Sequence, residues 1–120
     1  MEDEDMVKMY DTILGGYGPV GRLDTDNRVY NGEVSVTPVG MVTPEGHVYD
    51  APFYGNPVGR VESDGKIYDS LWGGSIVGHV SSDGKVYDSI FCNHTIGRVE
   101  GEPKYFAGAA LLLLKDKLVR

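Results

Sequence analysis

The chain has 120 residues, with 18 acidic against 11 basic side chains for a formal charge of −7, one Cys and 17 Gly. That length supports a single domain over residues 1–120 and leaves no material for a cleft between two modules. A pI ≈ 4.8 excludes the cationic surface with which proteins meet nucleic acid or an anionic membrane.

The first element is an acidic tail over residues 1–6, where Glu2, Asp3, Glu4 and Asp5 form one solvated run. No basic stretch leading into an apolar core follows it, so a signal peptide is not expected. The lone Cys92 fits a reducing compartment, and the expected location is cytoplasmic.

Residues 7–108 carry a repeat. Gly21, Gly40, Gly59, Gly78 and Gly97 stand nineteen residues apart, inside Val20-Gly21-Arg22-Leu23, Val39-Gly40-Met41-Val42, Val58-Gly59-Arg60-Val61, Val77-Gly78-His79-Val80 and Ile96-Gly97-Arg98-Val99. A second block follows in register at Val29-Tyr30-Asn31, Val48-Tyr49-Asp50, Ile67-Tyr68-Asp69, Val86-Tyr87-Asp88 and Tyr105-Phe106-Ala107. Turn residues such as Asp64-Gly65 and Asp83-Gly84 lie between the blocks, so each unit reads as a β-hairpin with a two-residue type I′ turn. That turn pairs Val61 with Tyr68 and Arg60 with Asp69. A glycine recurring inside a strand calls for a bulge or a close backbone approach. A bulge at Gly59 would bring Val58 and Val61 to one side.

Lys8-Met9-Tyr10-Asp11 matches the second block but lacks a first block before it, and Pro103 breaks the fifth turn pattern. An N-terminal strand that joins the last hairpin would remove both free edges. The expected architecture is therefore all-β: about five 19-residue hairpins around a pseudo-five-fold axis, closed by the N-terminal strand. A linear solenoid of stacked hairpins is the alternative. The segment 109–120, with Ala109 to Leu118 rich in helix formers, reads as a buried helix or strand that plugs the ring or packs against a second copy.

The repeat Val-Gly-x-Val-x-x-Asp-Gly-x-Val-Tyr-Asp and the ending Ala107-Gly108-Ala109-Ala110-Leu111-Leu112-Leu113-Leu114 resemble the small bacterial β-flower proteins in a five-fold form. More distantly, the chain is similar to the Tyr-Asp repeats of large bacterial shell-forming toxins. The first resemblance implies a fold and supplies no catalytic residue.

Candidate functional residues fall into three sets. Tyr30, Tyr49, Tyr68 and Tyr87, with Phe106 in the fifth place, would form an aromatic ring, read first as core packing and second as a stacking pocket. Arg22, Arg60, His79 and Arg98 share one repeat position. With Met41 in the remaining unit, they stand opposite Asn31, Asp50, Asp69 and Asp88 and read as cross-strand partners, Arg60 with Asp69 and His79 with Asp88, or as a cationic ring holding an anion at one mouth of the axis. Phe53, Trp72 and Phe91 stand at matching places between hairpins, and burial is the expected state; exposed, they would be an interaction patch together with Leu112 of the apolar tail. Cys92-Asn93-His94 supplies two ligands where a closed zinc site uses four, so no metal and no cofactor is expected. No nucleophile, base and orienting group share a pattern, and an enzyme is not expected. The resulting expectation is a binding or assembly module whose partner is a protein or a second copy; the alternative is an anion or sugar in an axial pocket.

Overall fold

Among the described residues, short β-branched runs bounded by turn residues fold into ten strands and one α-helix. A computed structural model describes residues 6–11, 18–32, 35–89 and 94–118. The strands are β1 (Val7–Tyr10), β2 (Gly21–Leu23), β3 (Arg28–Asn31), β4 (Pro38–Val42), β5 (His47–Tyr49), β6 (Pro57–Val61), β7 (Lys66–Tyr68), β8 (Ile76–Val80), β9 (Lys85–Tyr87) and β10 (Thr95–Glu100). They close into an antiparallel barrel in the order β1-β10-β9-β8-β7-β6-β5-β4-β3-β2. Closure removes every free edge, as the matching N-terminal strand led one to expect, and the solenoid alternative falls. β1 pairs with both β2 and β10, Met9 lying opposite Gly21 on one side and Val99 on the other.

The turns differ from the expected two-residue form. Glu62 N–H donates to the Lys66 carbonyl at 3.0 Å and Gly65 N–H to the Glu62 carbonyl at 2.9 Å, which leaves a three-residue loop. Thr43–His47 and Ser81–Lys85 repeat these bonds, and Asp24–Arg28 does so with Asn27 in place of glycine. Only the third loop residue takes positive φ, namely Asn27 (66°), Gly46 (88°), Gly65 (89°) and Gly84 (91°). That is a type I turn followed by a glycine bulge, the usual solution for a three-residue hairpin loop. Each of these carbonyls then accepts the N–H of a valine in the following hairpin, Val42, Val61, Val80 and Val99, at 2.8 to 2.9 Å.

The longer loop changes the register and thereby the faces. Arg60 lies opposite Tyr68 and Val61 opposite Ile67, where the shorter turn would have paired Arg60 with Asp69 and Val61 with Tyr68. Val42, Val48, Ile67 and Val86 are fully buried inside, whereas Tyr30, Tyr49, Tyr68 and Tyr87 stand half-buried on the outer wall. The tyrosines are therefore not a core ring. Between successive hairpins the register shifts at Val29/Tyr30, Val48/Tyr49, Ile67/Tyr68 and Thr95/Gly97. This is the bulge expected from the strand glycines, and it lets Val39, Val58, Val77 and Ile96 pack against the core.

Ten strands enclose more space than valines can fill. The filler is α1 (Lys104–Leu113), which packs against β1, β2, β4, β5, β6, β8, β9 and β10 and continues into a short 3₁₀ turn at Lys115–Lys117. Ala107, Ala109 and Ala110 are fully buried, and Leu111, Leu112, Leu114 and Leu118 nearly so. α1 begins at Lys104, so Tyr105 and Phe106 lie on a helix instead of completing a fifth hairpin. Tyr10 of β1 takes the place the sequence pattern gave to Phe106, opposite Arg98.

The strand glycines make room for this helix. A Cβ on Gly78 would lie 2.6 Å from Leu112 Cδ2, on Gly59 2.8 Å from Leu113 Cδ1, on Gly40 2.6 Å from Leu114 Cδ1, and on Gly21 2.8 Å from Leu118 Cδ2. Each would also meet the carbonyl of the tyrosine across its own hairpin. Leu112, an expected contact residue, faces the barrel interior and is unavailable to a partner.

Candidate functional site

Short paired strands put cations and tyrosines in opposing outward positions, and they stack. The guanidinium carbon of Arg22 lies 4.2 Å from the Tyr30 ring centroid, that of Arg60 4.0 Å from Tyr68, and that of Arg98 4.0 Å from Tyr10. The His79 ring stacks on Tyr87 at 4.7 Å and 10°. Met41 holds this position opposite Tyr49, and Tyr49 instead meets Tyr54 edge-on at 5.3 Å.

The expected cross-strand Arg–Asp pairs are absent among the described residues, because the register places tyrosine there. Arg22, Arg60 and Arg98 reach along their own strands to Asp24, Glu62 and Glu100 at 3.3, 2.9 and 3.1 Å. Two of the three also hold loops: Arg22 Nη2 bonds the Ser35 carbonyl at 2.8 Å, and Arg60 Nη1 bonds the carbonyls of Ser70 and Gly73, both at 2.8 Å. These cations thus sit on the outer wall over separate tyrosines, and the barrel axis is filled by α1 instead of an anion. Among the described residues these cations form no ring around an axial pocket, contrary to that expectation, because α1 occupies the barrel interior.

The Tyr-Asp carboxylates close the loops between hairpins. Asp50 Oδ1 accepts the N–H of Asn56 at 2.8 Å while Asp50 N–H donates to the Asn56 carbonyl at 3.0 Å. Asp69 does the same with Ser75 at 3.0 and 3.1 Å. Asp88 accepts from His94 Nδ1 at 2.7 Å, so that histidine is engaged within its own loop. Phe91 and Cys92 lie outside the described residues.

Loops closed in this way display their aromatics outward. Phe53 is 73% exposed, Tyr54 66% and Trp72 81%, against the expectation of burial. Among the described residues the interior is already filled by aliphatic strand side chains such as Met9, Val48 and Ile67 and by α1, so the loop rings have no core left to enter. They fold back instead along the outer wall to the hairpin before the one they follow. Arg28 lies 4.4 Å from the Phe53 ring centroid and its Nε bonds the Pro52 carbonyl at 3.2 Å. Trp72 meets His47 at 5.7 Å with the rings 77° apart. Its loop is fixed by Arg60 and by Ser70, whose Oγ bonds both the carbonyl and the N–H of Trp72 at 2.6 and 3.1 Å.

Trp72 overhangs a cleft of about 520 Å³. Phe106, Tyr105 and Leu71 supply its apolar walls, and Glu45, His47 and Arg60 its polar ones. No family model, curated protein or solved structure matches this chain. The cleft therefore stands on its own geometry. Of the residues singled out from sequence, it gathers Arg60, Trp72 and Phe106, whereas Tyr30, Tyr49, Tyr87, Arg22, His79 and Arg98 lie elsewhere on the wall.

Glu45, His47 and Tyr105 were not singled out as members of a shared site. One sequence signal points to His47. Arg28 and His47 immediately precede equivalent strand valines, as Phe53 and Trp72 occupy equivalent loop positions. Phe53 and Trp72 thus each meet the basic position of the hairpin before the one they follow. Nothing in the pattern announces Tyr105, because α1 brings it there by returning through the barrel. Among the described residues, no group of three His, Cys, Asp or Glu side chains is arranged to hold a metal ion.

A few ionisable groups are tuned by local bonds. Asp64 and Asp83 are held below the ordinary carboxylate range, the first mainly by the Lys66 N–H and the second mainly by the Ser81 hydroxyl. Glu102 is lowered by its bond to the Lys104 amine. The Tyr30 hydroxyl donates to Asp26 at 2.7 Å, which raises its pKa. All four stabilise turns or hairpin ends, as their bonding partners lie within four residues of them.

Proposed function

We propose that this protein is a non-enzymatic binding module, in which a closed barrel presents rigid loops to a protein partner or to a second copy of itself. The observation that supports this most is Trp72, 81% exposed on a loop pinned by Arg60 and Ser70 above a cleft. An exposed aromatic held in place loses little conformational entropy on binding, which is why such residues dominate interface energetics. Phe53 and Tyr54 add a second exposed aromatic pair on the neighbouring loop. The nineteen-residue glycine spacing and the recurring register shifts support reading the barrel as a pseudo-five-fold hairpin repeat of β-flower type. The net charge of −7 favours neither nucleic acid nor an anionic membrane as partner, and the lone Cys92 is in keeping with a cytoplasmic protein.

The test is a photo-crosslinking amino acid at position 54, combined with sedimentation across a range of concentrations. Adducts heavier than the 13.1 kDa chain are expected, and they should disappear in the double variant Phe53→Ser, Trp72→Ser. A strictly monomeric protein that crosslinks to nothing in its native cell would overturn the proposal.

A further inference from the structure

The two exposed loop rings differ in what faces them. Over Phe53 the chain places its own cation, with the Arg28 guanidinium carbon 4.4 Å from the ring centroid. At Trp72 the equivalent position carries His47, which meets the indole at 77°, and among the described residues no cation lies over the indole. Trp72 is the larger ring and the better cation acceptor, yet it is the one left without a guanidinium. Within the same cleft Glu45 is exposed and has no hydrogen-bond or ion-pair partner among the described residues. Arg60, the cleft's cation, is occupied by Glu62, Ser70, Gly73 and the Tyr68 ring.

We propose that the Trp72 cleft binds an organic cation, an alkylammonium or guanidinium group, which stacks on the indole and is neutralised by Glu45. The inference rests on reading this cleft as a binding surface, and it adds the chemistry of what enters. Four features support it. The indole is electron-rich and 81% exposed, Tyr105 and Phe106 line the cleft, and the exposed Glu45 carboxylate is present. The fourth is that the chain completes the same arrangement internally at Arg28 and Phe53. The loop is preorganised by the Arg60 and Ser70 bonds, so little ordering opposes binding. A net charge of −7 draws cations toward the surface.

The chain contains one Trp, so its single indole N–H resonance reports on this cleft alone. Titration with choline should shift that resonance saturably, and 3,3-dimethylbutan-1-ol, its uncharged isostere, should not. Glu45→Gln should weaken choline binding about fivefold, the loss of a solvent-screened charge contact. His47→Arg should supply an internal cation as Arg28 does and weaken binding about tenfold or more, with the thermal unfolding midpoint unchanged. A second arm compares choline with N-acetyl-arginine amide: tighter choline binding identifies a free quaternary ammonium, and tighter arginine binding identifies a partner's side chain. Equal shifts with choline and the neutral isostere, or no shift with any cation, would overturn the inference. If that happens while Trp72-dependent crosslinking at position 54 persists, the binding-module reading survives and only the cation is lost.

Discussion

Gly78→Ala tests whether the strand glycines exist to admit the C-terminal helix. The new Cβ would lie 2.6 Å from Leu112 Cδ2 and 3.3 Å from the Asp88 Cα, and closest of all to the Tyr87 carbonyl. Carbon atoms in ordinary contact sit about 3.5–4.0 Å apart, so Leu112 must withdraw by about 1 Å. The Leu112 side chain can rotate in part, but the Tyr87 carbonyl belongs to the main chain of β9 and can move only with its strand. Overpacking of this kind costs about 1–3 kcal/mol, and the backbone contact places it at the upper end. The alanine also narrows the unfolded ensemble, which returns about 0.5–1 kcal/mol. The net expectation is a loss of about 2 kcal/mol, or roughly 8 °C in Tm for a domain of this size.

Urea denaturation followed by far-UV circular dichroism measures that loss. Gly32→Ala is the control, because Gly32 has φ 84° with nothing within 4 Å of its Cβ position; it should cost only backbone strain of about 1 kcal/mol. Leu112→Ala alone should cost about 2–5 kcal/mol. The double variant Gly78→Ala, Leu112→Ala should lose less than the two together, since the clash partner is gone. A Gly78→Ala protein within 0.5 kcal/mol of the parent, well inside the roughly 1–3 kcal/mol of an overpacked core, would refute the account of helix packing.

Further outcomes follow from the same contacts. A chain ending at Gly108 loses the core residues Ala109 to Leu118 and should not fold, giving a random-coil circular dichroism spectrum and no cooperative thermal transition. Arg60→Ala removes two carbonyl bonds, the Glu62 pair and the stack on Tyr68; it should cost about 2 kcal/mol and speed amide exchange over residues 71–74. Trp72→Ser, at an 81% exposed position, should change stability by less than about 0.5 kcal/mol, while reducing crosslinking at position 54. Asp64, Asp83 and Glu102 have folded pKa values below their unfolded ones. Their contribution is complete above the unfolded value of about 4 and disappears as pH falls through the lowered folded values. A urea series from pH 5 downward should show this decline, and Asp64→Asn should make it shallower.

The all-β class, the strands near each nineteen-residue glycine and the closure by Lys8-Met9-Tyr10 were legible because they depend on local alternation and turn residues. The bulge was legible too, since a glycine at one place in several strands has few other causes. The faces were not. They turned on one residue in the loop: Asp64-Gly65 suits a two-residue turn, but the bond from Glu62 N–H to the Lys66 carbonyl makes the loop Ser63-Asp64-Gly65. In a structure of period two, that single residue exchanges the partners of Arg60 and Tyr68 and moves the tyrosines outside.

Sequence by itself thus determined where the chain is extended, where it turns and which segment is apolar on all sides. Only the tertiary structure decided what fills the barrel and what remains outside it. The apolar segment 109–120 was expected either to plug the ring or to meet a second copy, and the helix that returns through ten strands to occupy the axis with Ala107, Ala110 and Leu112 decides for the plug, a long-range outcome that local spacing left open. Once that volume is taken, Phe53 and Trp72 have no interior to enter, and the aromatic surface over the Trp72 cleft is the result.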